Sequence, residues 1–310
     1  MFKFIKSVLT GEVQTPEEKQ QEEQERSFDT LKYDGIRAVN LRQYDYAQQC
    51  LSAAIAIKKD AEAMEYLARL YDATSHEDEA LNLWNELATL FPDDSKYQLL
   101  AAAAYYQRGE YGRVIEICQH VRNIDPENIS AFYYSARAHN QQGDQLMAIA
   151  ELTQALTIES SQPNLLLLRA TILHEMGQLA DAEKDIDEIL THQEGCVEEA
   201  MMLKGEIQLA QGNAEEAQTH FIRLIELNPF NHQAYLMLAE TYIRQQAYKK
   251  ALSVYTDAIE QLPELAQAYY GRGRVQHLMG NLQASVADLK RAMEIDPEIE
   301  KNISGKFQKL

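Results

Sequence analysis

The chain has 310 residues, 45% of them hydrophobic, and its 48 acidic against 29 basic residues give a formal net charge of −19. That balance argues against binding along a phosphate backbone, which needs clustered Lys and Arg. It reads as a solvated, soluble surface, with attraction to a basic partner as the remaining option. The three cysteines, Cys50, Cys118 and Cys196, are odd in number and far apart, so neither a disulfide framework nor a Cys-x-x-Cys metal site is expected.

At the start of the chain, Phe2, Phe4, Ile5, Val8 and Leu9 fit one face of a short helix, with Lys3 and Lys6 opposite or flanking. A frayed terminus, docking onto the rest of the molecule and weak association with a membrane surface are all open to residues 1–13. No apolar run long enough for a signal peptide follows. No segment approaches the roughly 20 apolar residues of a membrane span either. With Cys50 and Cys118 read as small core residues of a reducing compartment, the expectation is cytoplasmic. Gln14–Arg26 is rich in Glu and Gln, and it opens with Thr15-Pro16-Glu17-Glu18. That is a helix start: a capping residue, a proline in the first turn and a glutamate three residues on. Residues 1–27 therefore read as an N-terminal arm.

From Phe28 onward the chain keeps a ruler. Pro92 and Pro126 are 34 residues apart, as are Pro229, Pro263 and Pro297 in succession. Between the two groups lie 103 residues, three periods of 34 plus one. The glycines Gly109, Gly143 and Gly177 keep the same interval, Gly212 follows at 35, and Gly280 stands two periods later. A fixed period of this size means stacked supersecondary units. Eight fit on residues 28–297: 28–60, 61–94, 95–128, 129–162, 163–197, 198–231, 232–265 and 266–297. The seventh is the cleanest. Tyr235, Leu238, Ala239 and Tyr242 recur at three and four, the stripe of an amphipathic helix, and after a break near Gln245–Ala247 a second stripe runs through Ala251, Tyr255, Ala258 and Ile259. Each unit is thus helix, turn, helix and a short linker. The glycines sit where a first helix ends and a left-handed backbone is needed. The pairs Asp125-Pro126, Asn228-Pro229 and Asp296-Pro297 stop second helices, because the residue before proline avoids the α region. Asn128 stands ready to cap the next helix.

An aromatic, a Leu, a small residue and a Tyr on the first helix, Ala-aromatic-Ala on the second and a closing Pro resemble the tetratricopeptide repeat. The resemblance covers the eight units. It implies an all-α, right-handed superhelical solenoid whose first helices line a concave surface. The small site of the first helix holds Gly35, Ala68, Ala102, Ala136, Ala170, Gly205, Ala239 and Gly273. The first small site of the second helix holds Ala47, Ala80, Val114, Ala148, Ala182, Ala217, Ala251 and Ser285. Side chains this short let neighbouring helices approach closely. Several positions depart from the pattern. Asp34 stands where a Leu is expected and Lys59 where a Pro is, which suits the polar outer face of a terminal repeat. Ser160 and Glu194 also replace Pro, and Arg169 occupies an otherwise apolar site. The extra residue falls near Gln193-Glu-Gly-Cys196, which predicts an irregular turn there. Residues 298–310 read as a short, mildly basic tail, helical at first.

No motif for chemistry emerges. Gly271-Arg-Gly273 opens like a nucleotide loop, but Gln276 stands where a third glycine belongs and no strand precedes it. There is no Gly-Lys-Ser/Thr loop, no His-Glu-x-x-His and no Gly-x-Ser-x-Gly. His139 and His174 fall on successive first helices as polar groove or packing residues, and Asn302-Ile-Ser304 matches a glycosylation sequon without meaning in a cytoplasmic protein. The expectation is a protein with no catalytic, cofactor or metal site. The carboxylate clamp of some family members, Lys and Asn, then Asn, then Lys and Arg on three successive first helices, is not matched by any three units here. The groove-facing sites hold Leu99, Leu100, Tyr106, Tyr133, Tyr134, Arg137, Asn140, Leu167, Leu168 and His174, then Met202, Leu203, Leu236, Met237 and Tyr270. That composition is mostly apolar and aromatic with few charges. It implies a scaffold holding an apolar helix or extended peptide of another protein. The alternative is a self-associating structural protein, its groove or end faces meeting another copy or its own N-terminal segment.

Overall fold

The structure, a computed structural model, describes residues 15–192, 195–299 and 301. Among these residues there are sixteen α-helices and no strand. They follow one another as α1 (Pro16–Asn40) and α2 (Tyr44–Ile57), α3 (Ala61–Ala73) and α4 (Glu77–Leu90), α5 (Ser95–Gln107) and α6 (Tyr111–Ile124), α7 (Ile129–Gln141) and α8 (Gln145–Ile158). Then come α9 (Pro163–Glu175) and α10 (Leu179–His192), α11 (Val197–Ala210) and α12 (Ala214–Leu227), α13 (His232–Arg244) and α14 (Tyr248–Gln261), α15 (Ala266–Leu278) and α16 (Leu282–Ile295). The chain is an all-α repeat solenoid. It forms two compact units, residues 1–151 and residues 152–310. The readings of residues 1–13 and of the sequon at 302–304 lie outside the described residues.

Local chemistry sets each boundary. Thr15 and Glu18 form the expected capping box: the Thr15 hydroxyl accepts from the Glu18 N–H at 3.2 Å and the Glu18 carboxylate accepts from the Thr15 N–H at 2.8 Å. With no glycine or proline between Glu17 and Asp34, the Glu/Gln-rich lead continues into the first repeat as one helix of 25 residues. Second helices stop where the chain approaches proline: Asp125, Asn228 and Asp296 leave the helical region just after α6, α12 and α16. First helices end on a left-handed residue. Gly109, Gly143, Gly177, Gly212 and Gly280 take φ between 74° and 86°, and Arg42, Ser75 and Gln246 hold the same place in the units that lack a glycine. Gly195 and Cys196 are both left-handed, at φ 57° and 50°, so the extra residue there does produce an irregular turn.

Helix caps keep the same ruler. Asp60, Asp94, Asn128 and Asn231 each accept a backbone N–H of the first turn of α3, α5, α7 and α13. Gln162 occupies that place before α9 with a similar extended backbone, followed by Pro163, yet its side chain makes no cap hydrogen bond. It is one methylene longer than the asparagine that caps α7. Gln162→Asn is therefore expected to stabilise the second unit by about 1 kcal/mol. Chemical denaturation is the check, and a midpoint unchanged or lowered would contradict it.

In the first unit, Ala38, Ala47, Leu51, Ala63 and Leu67 form one buried cluster, and Ala68, Ala80, Trp84, Leu87 and Tyr97 a second. Trp84 reconciles its polar edge with burial by donating Nε1–H to Asp72 at 3.0 Å. A third cluster gathers Ala102, Val114, Cys118, Val121 and Ala131. In the second unit one cluster runs through Ala217, Phe221, Tyr235, Leu238, Ala239, Tyr242, Ala251 and Tyr255.

All sixteen small sites are buried, as expected. Three of them are glycines at close helix approaches. A Cβ on Gly35 would lie 2.7 Å from Leu51, one on Gly205 would lie 2.4 Å from the Phe221 ring, and one on Gly273 would lie 3.0 Å from Leu289. Gly271 is also a contact glycine, since its Cβ would meet the Tyr255 ring at 2.3 Å. Gly271 and Gly273 thus sit inside α15 for packing, not in a phosphate loop.

Three polar substitutions of the pattern are explained by partners. Arg169 on α9 makes a bidentate pair with the buried Asp185 on α10, Nε to Oδ2 at 2.8 Å and Nη2 to Oδ1 at 2.6 Å, and also reaches the Thr153 hydroxyl at 3.1 Å. Three units later Arg272, Asp288 and Thr256 repeat the arrangement at 2.7, 2.8 and 3.4 Å. Lys204, buried on α11, takes the place of an apolar side chain by donating to Glu183 at 2.6 Å and Asp187 at 2.8 Å.

Candidate functional site

Every residue assigned to the groove from the sequence is half-buried, except Leu203, which is buried. In the first unit, Leu99, Leu100 and Tyr106 lie on α5, and Tyr133, Tyr134, Arg137 and Asn140 on α7. Four of them come together. The Arg137 guanidinium lies 4.2 Å from the Tyr106 ring centre and 5.5 Å from that of Tyr133. Tyr133 and Tyr134 meet edge to face at 5.9 Å. Tyr106 also touches Tyr111 at 5.4 Å. A guanidinium held between two rings is fixed in direction without being neutralised. Leu99, Tyr106 and Tyr134 rest their inner sides on the cluster around Cys118, and Leu100 rests on the one around Trp84.

Beside this patch lies a polar network. Glu151 is 8% exposed and accepts from Arg122 at 2.9 Å, and His139 Nε2 stands 3.9 Å from the same carboxylate. Cys118 is fully buried, and desolvation pushes its thiol up to about 12. It is therefore a packing group without nucleophilic character at neutral pH. Among the described residues no group of three or more His, Cys, Asp or Glu could hold a metal ion.

In the second unit, Leu167, Leu168 and His174 lie on α9, Met202 on α11, Leu236 and Met237 on α13, and Tyr270 on α15. Leu167 and Met202 share a cleft of about 380 Å³ with Thr171 and Leu203. Met202, Leu236 and Met237 also pack against the cluster around Phe221 and Tyr255, whereas Tyr270 packs beside Ala266 and Ile299. The cleft brings in residues that the sequence reading did not assign: Glu198, Glu199 and Glu206 of α11, with Asn231 and Gln233 at the start of α13. Reading the groove as poor in charge does not hold here. The signal was present, since Glu199, Met202, Leu203 and Glu206 are spaced at three and four and so share a helix face. Burial raises the Glu206 carboxyl above its ordinary range, and the charge of His174 only partly offsets this.

With this geometry in view, similarity to known proteins becomes specific. A family model described as the tetratricopeptide repeat protein 21 N-terminal ARM repeat matches residues 76–285, well over half of the chain. The chain belongs to the tetratricopeptide-repeat family. Among curated relatives, the Hsp70-Hsp90 organizing protein of Triticum aestivum is 25% identical over 257 residues, covering 82% of this chain and 43% of that protein. The Protein O-mannosyl-transferase TMTC1 of Homo sapiens is 27% identical over 192 residues, covering 61% of this chain and 21% of that protein. The chain thus spans less than half the length of either relative. A crystal structure of a tetratricopeptide repeat protein from Parabacteroides merdae superposes with a TM-score of 0.62 at 13% identity, over 84% of this chain and 99% of that one. At that identity the likeness shows the repeat fold alone. Among the described residues no helix is long and apolar enough to cross a membrane.

Proposed function

We propose that this tetratricopeptide-repeat chain is a non-enzymatic interaction scaffold, and that its first helices hold an apolar helix or extended peptide of another protein. The observation that carries the reading is the patch of Tyr106, Tyr133, Tyr134 and Arg137. Its rings are organised, half-exposed and rimmed by polar groups, and aromatic and Arg side chains dominate binding energy at most interfaces. Arg137 and Asn140 are the polar contacts that set the direction of the ligand. All three thiols are free, which suits a reducing, cytoplasmic setting.

A photo-crosslinking residue placed at position 134 identifies the partner. Changing Tyr133 and Tyr134 together to Ala is then expected to weaken that partner by about 1–3 kcal/mol with the helical content unchanged. Affinity that survives the double change, with the fold intact, rejects the patch as the working surface.

A specific observation favours self-association as a second reading. Leu282, Val286 and Met293 on α16 are 59%, 66% and 46% exposed. Their counterparts 34 residues earlier, Tyr248, Leu252 and Ile259, are half-buried among packed neighbours. Sedimentation of the pure chain separates the readings, because a dimer abolished by Val286→Lys supports the second.

A further inference from the structure

The cleft of the second unit has a chemistry of its own. Its inner wall is apolar, formed by Leu167, Met202 and Leu203. Half-buried in it lies Glu206, which has no Lys or Arg partner and no side-chain hydrogen bond among the described residues. Exposed Glu199 stands two turns before Glu206 at the mouth. No Lys or Arg lines the cleft, in a chain whose buried carboxylates elsewhere take Arg or Lys partners, as Asp185, Asp288 and Glu151 do. Withdrawing the Glu206 carboxylate from water is costly, the charge of His174 offsets that cost only in part, and a Lys or Arg cation brought to it recovers more of it. The apolar wall suits the methylene stem of Lys or Arg, which lies along such surface while its charged head reaches a carboxylate. Asn231, whose oxygen caps α13, has a second amide hydrogen for the main chain of the same segment. Its own amide nitrogen is already held by Glu198 at 3.1 Å, which fixes its orientation.

We propose that this cleft takes a Lys- or Arg-bearing segment of the partner protein, its cationic head between Glu206 and Glu199 and its stem on Leu167, Met202 and Leu203. Charge complementarity selects this occupant over an acidic or purely apolar peptide. The proposal rests on the scaffold reading and deepens it, assigning a basic–apolar motif to the ligand. It also makes the unpaired carboxylate a cost of the free protein, so Glu206→Gln is expected to hold or raise the melting temperature while removing the ligand.

The test pans a phage-displayed library of random 12-residue peptides on the full chain. The expected selectants carry Lys or Arg beside apolar residues. Their synthetic versions bind at least tenfold more weakly to Glu206→Gln, lose at least tenfold when that cation becomes Gln, and weaken as salt rises. Selectants without cations overturn the proposal, as do selectants indifferent to Glu206→Gln and a library from which nothing is retained. Selectants lost with the Tyr133/Tyr134 double change but kept by Glu206→Gln leave the scaffold reading standing and remove this one. A salt-sensitive dimer of the chain abolished by Glu206→Gln also overturns it, because the occupant is then a second copy.

Discussion

Arg272→Ala is expected to destabilise the second unit by about 3 kcal/mol. The Arg272 guanidinium occupies both oxygens of Asp288, which is 7% exposed, so truncation leaves a carboxylate nearly sealed from water with no cation. Breaking a buried pair by removing one partner costs about 3–5 kcal/mol, far more than the pair itself contributes. The lower end applies because the Arg272 side chain keeps 20% of its surface in water, which admits some solvent to the vacated site. Replacing both partners with apolar residues, Arg272→Met with Asp288→Leu, is expected to recover most of the loss. Arg169→Ala is expected to behave in the same way through Asp185. Urea denaturation of the single and double variants is the measurement. A loss under 1 kcal/mol for Arg272→Ala would show that solvent already satisfies Asp288.

These two pairs also show where sequence reading stops. The 34-residue ruler located the small packing sites and the left-handed turn glycines, and short local motifs located the capping box at Thr15 and the cap at Asn128, because each is a local requirement with a fixed offset. Arg169 was visible only as an anomaly at an apolar site. Its partner lies 16 residues on, across a turn and on another helix. Nothing in the linear pattern distinguishes Asp185 from the exposed acids Asp181 and Asp187 on the same helix. Lys204 escaped notice for the same reason, since its counter-charges sit on α10. The groove was legible in part. Helical position assigned Tyr106, Tyr133, Tyr134 and Arg137 to first helices, but not the stacking of Arg137 on two rings. The cleft around Glu206 was missed because those glutamates looked like members of an acidic surface, and only three-dimensional packing gives one of them an apolar wall.

The other large effect concerns packing density at a small site. Ala251 is fully buried on α14, in the cluster that also holds Tyr235, Leu238, Ala239 and Tyr255. Ala251→Leu adds three carbons at a helix crossing. The neighbouring Tyr255 cannot retreat, because its ring already lies where a Cβ on Gly271 would be only 2.3 Å away. The extra volume must therefore push α13 and α14 apart or force strained rotamers, at an expected cost of about 1–3 kcal/mol. Ala148→Leu, at the equivalent and equally buried site of α8, is expected to cost the same. Ala284→Leu, on the exposed side of α16, serves as the control and should stay within about 0.5 kcal/mol of the parent. In a repeat fold each unit contacts only its neighbours, so the damage should be local. Hydrogen exchange after Ala251→Leu is expected to quicken in α13, α14 and α15 while α3 and α4 keep the parent protection. Melting curves unchanged by both buried substitutions would refute the register that places Ala148 and Ala251 at helix crossings.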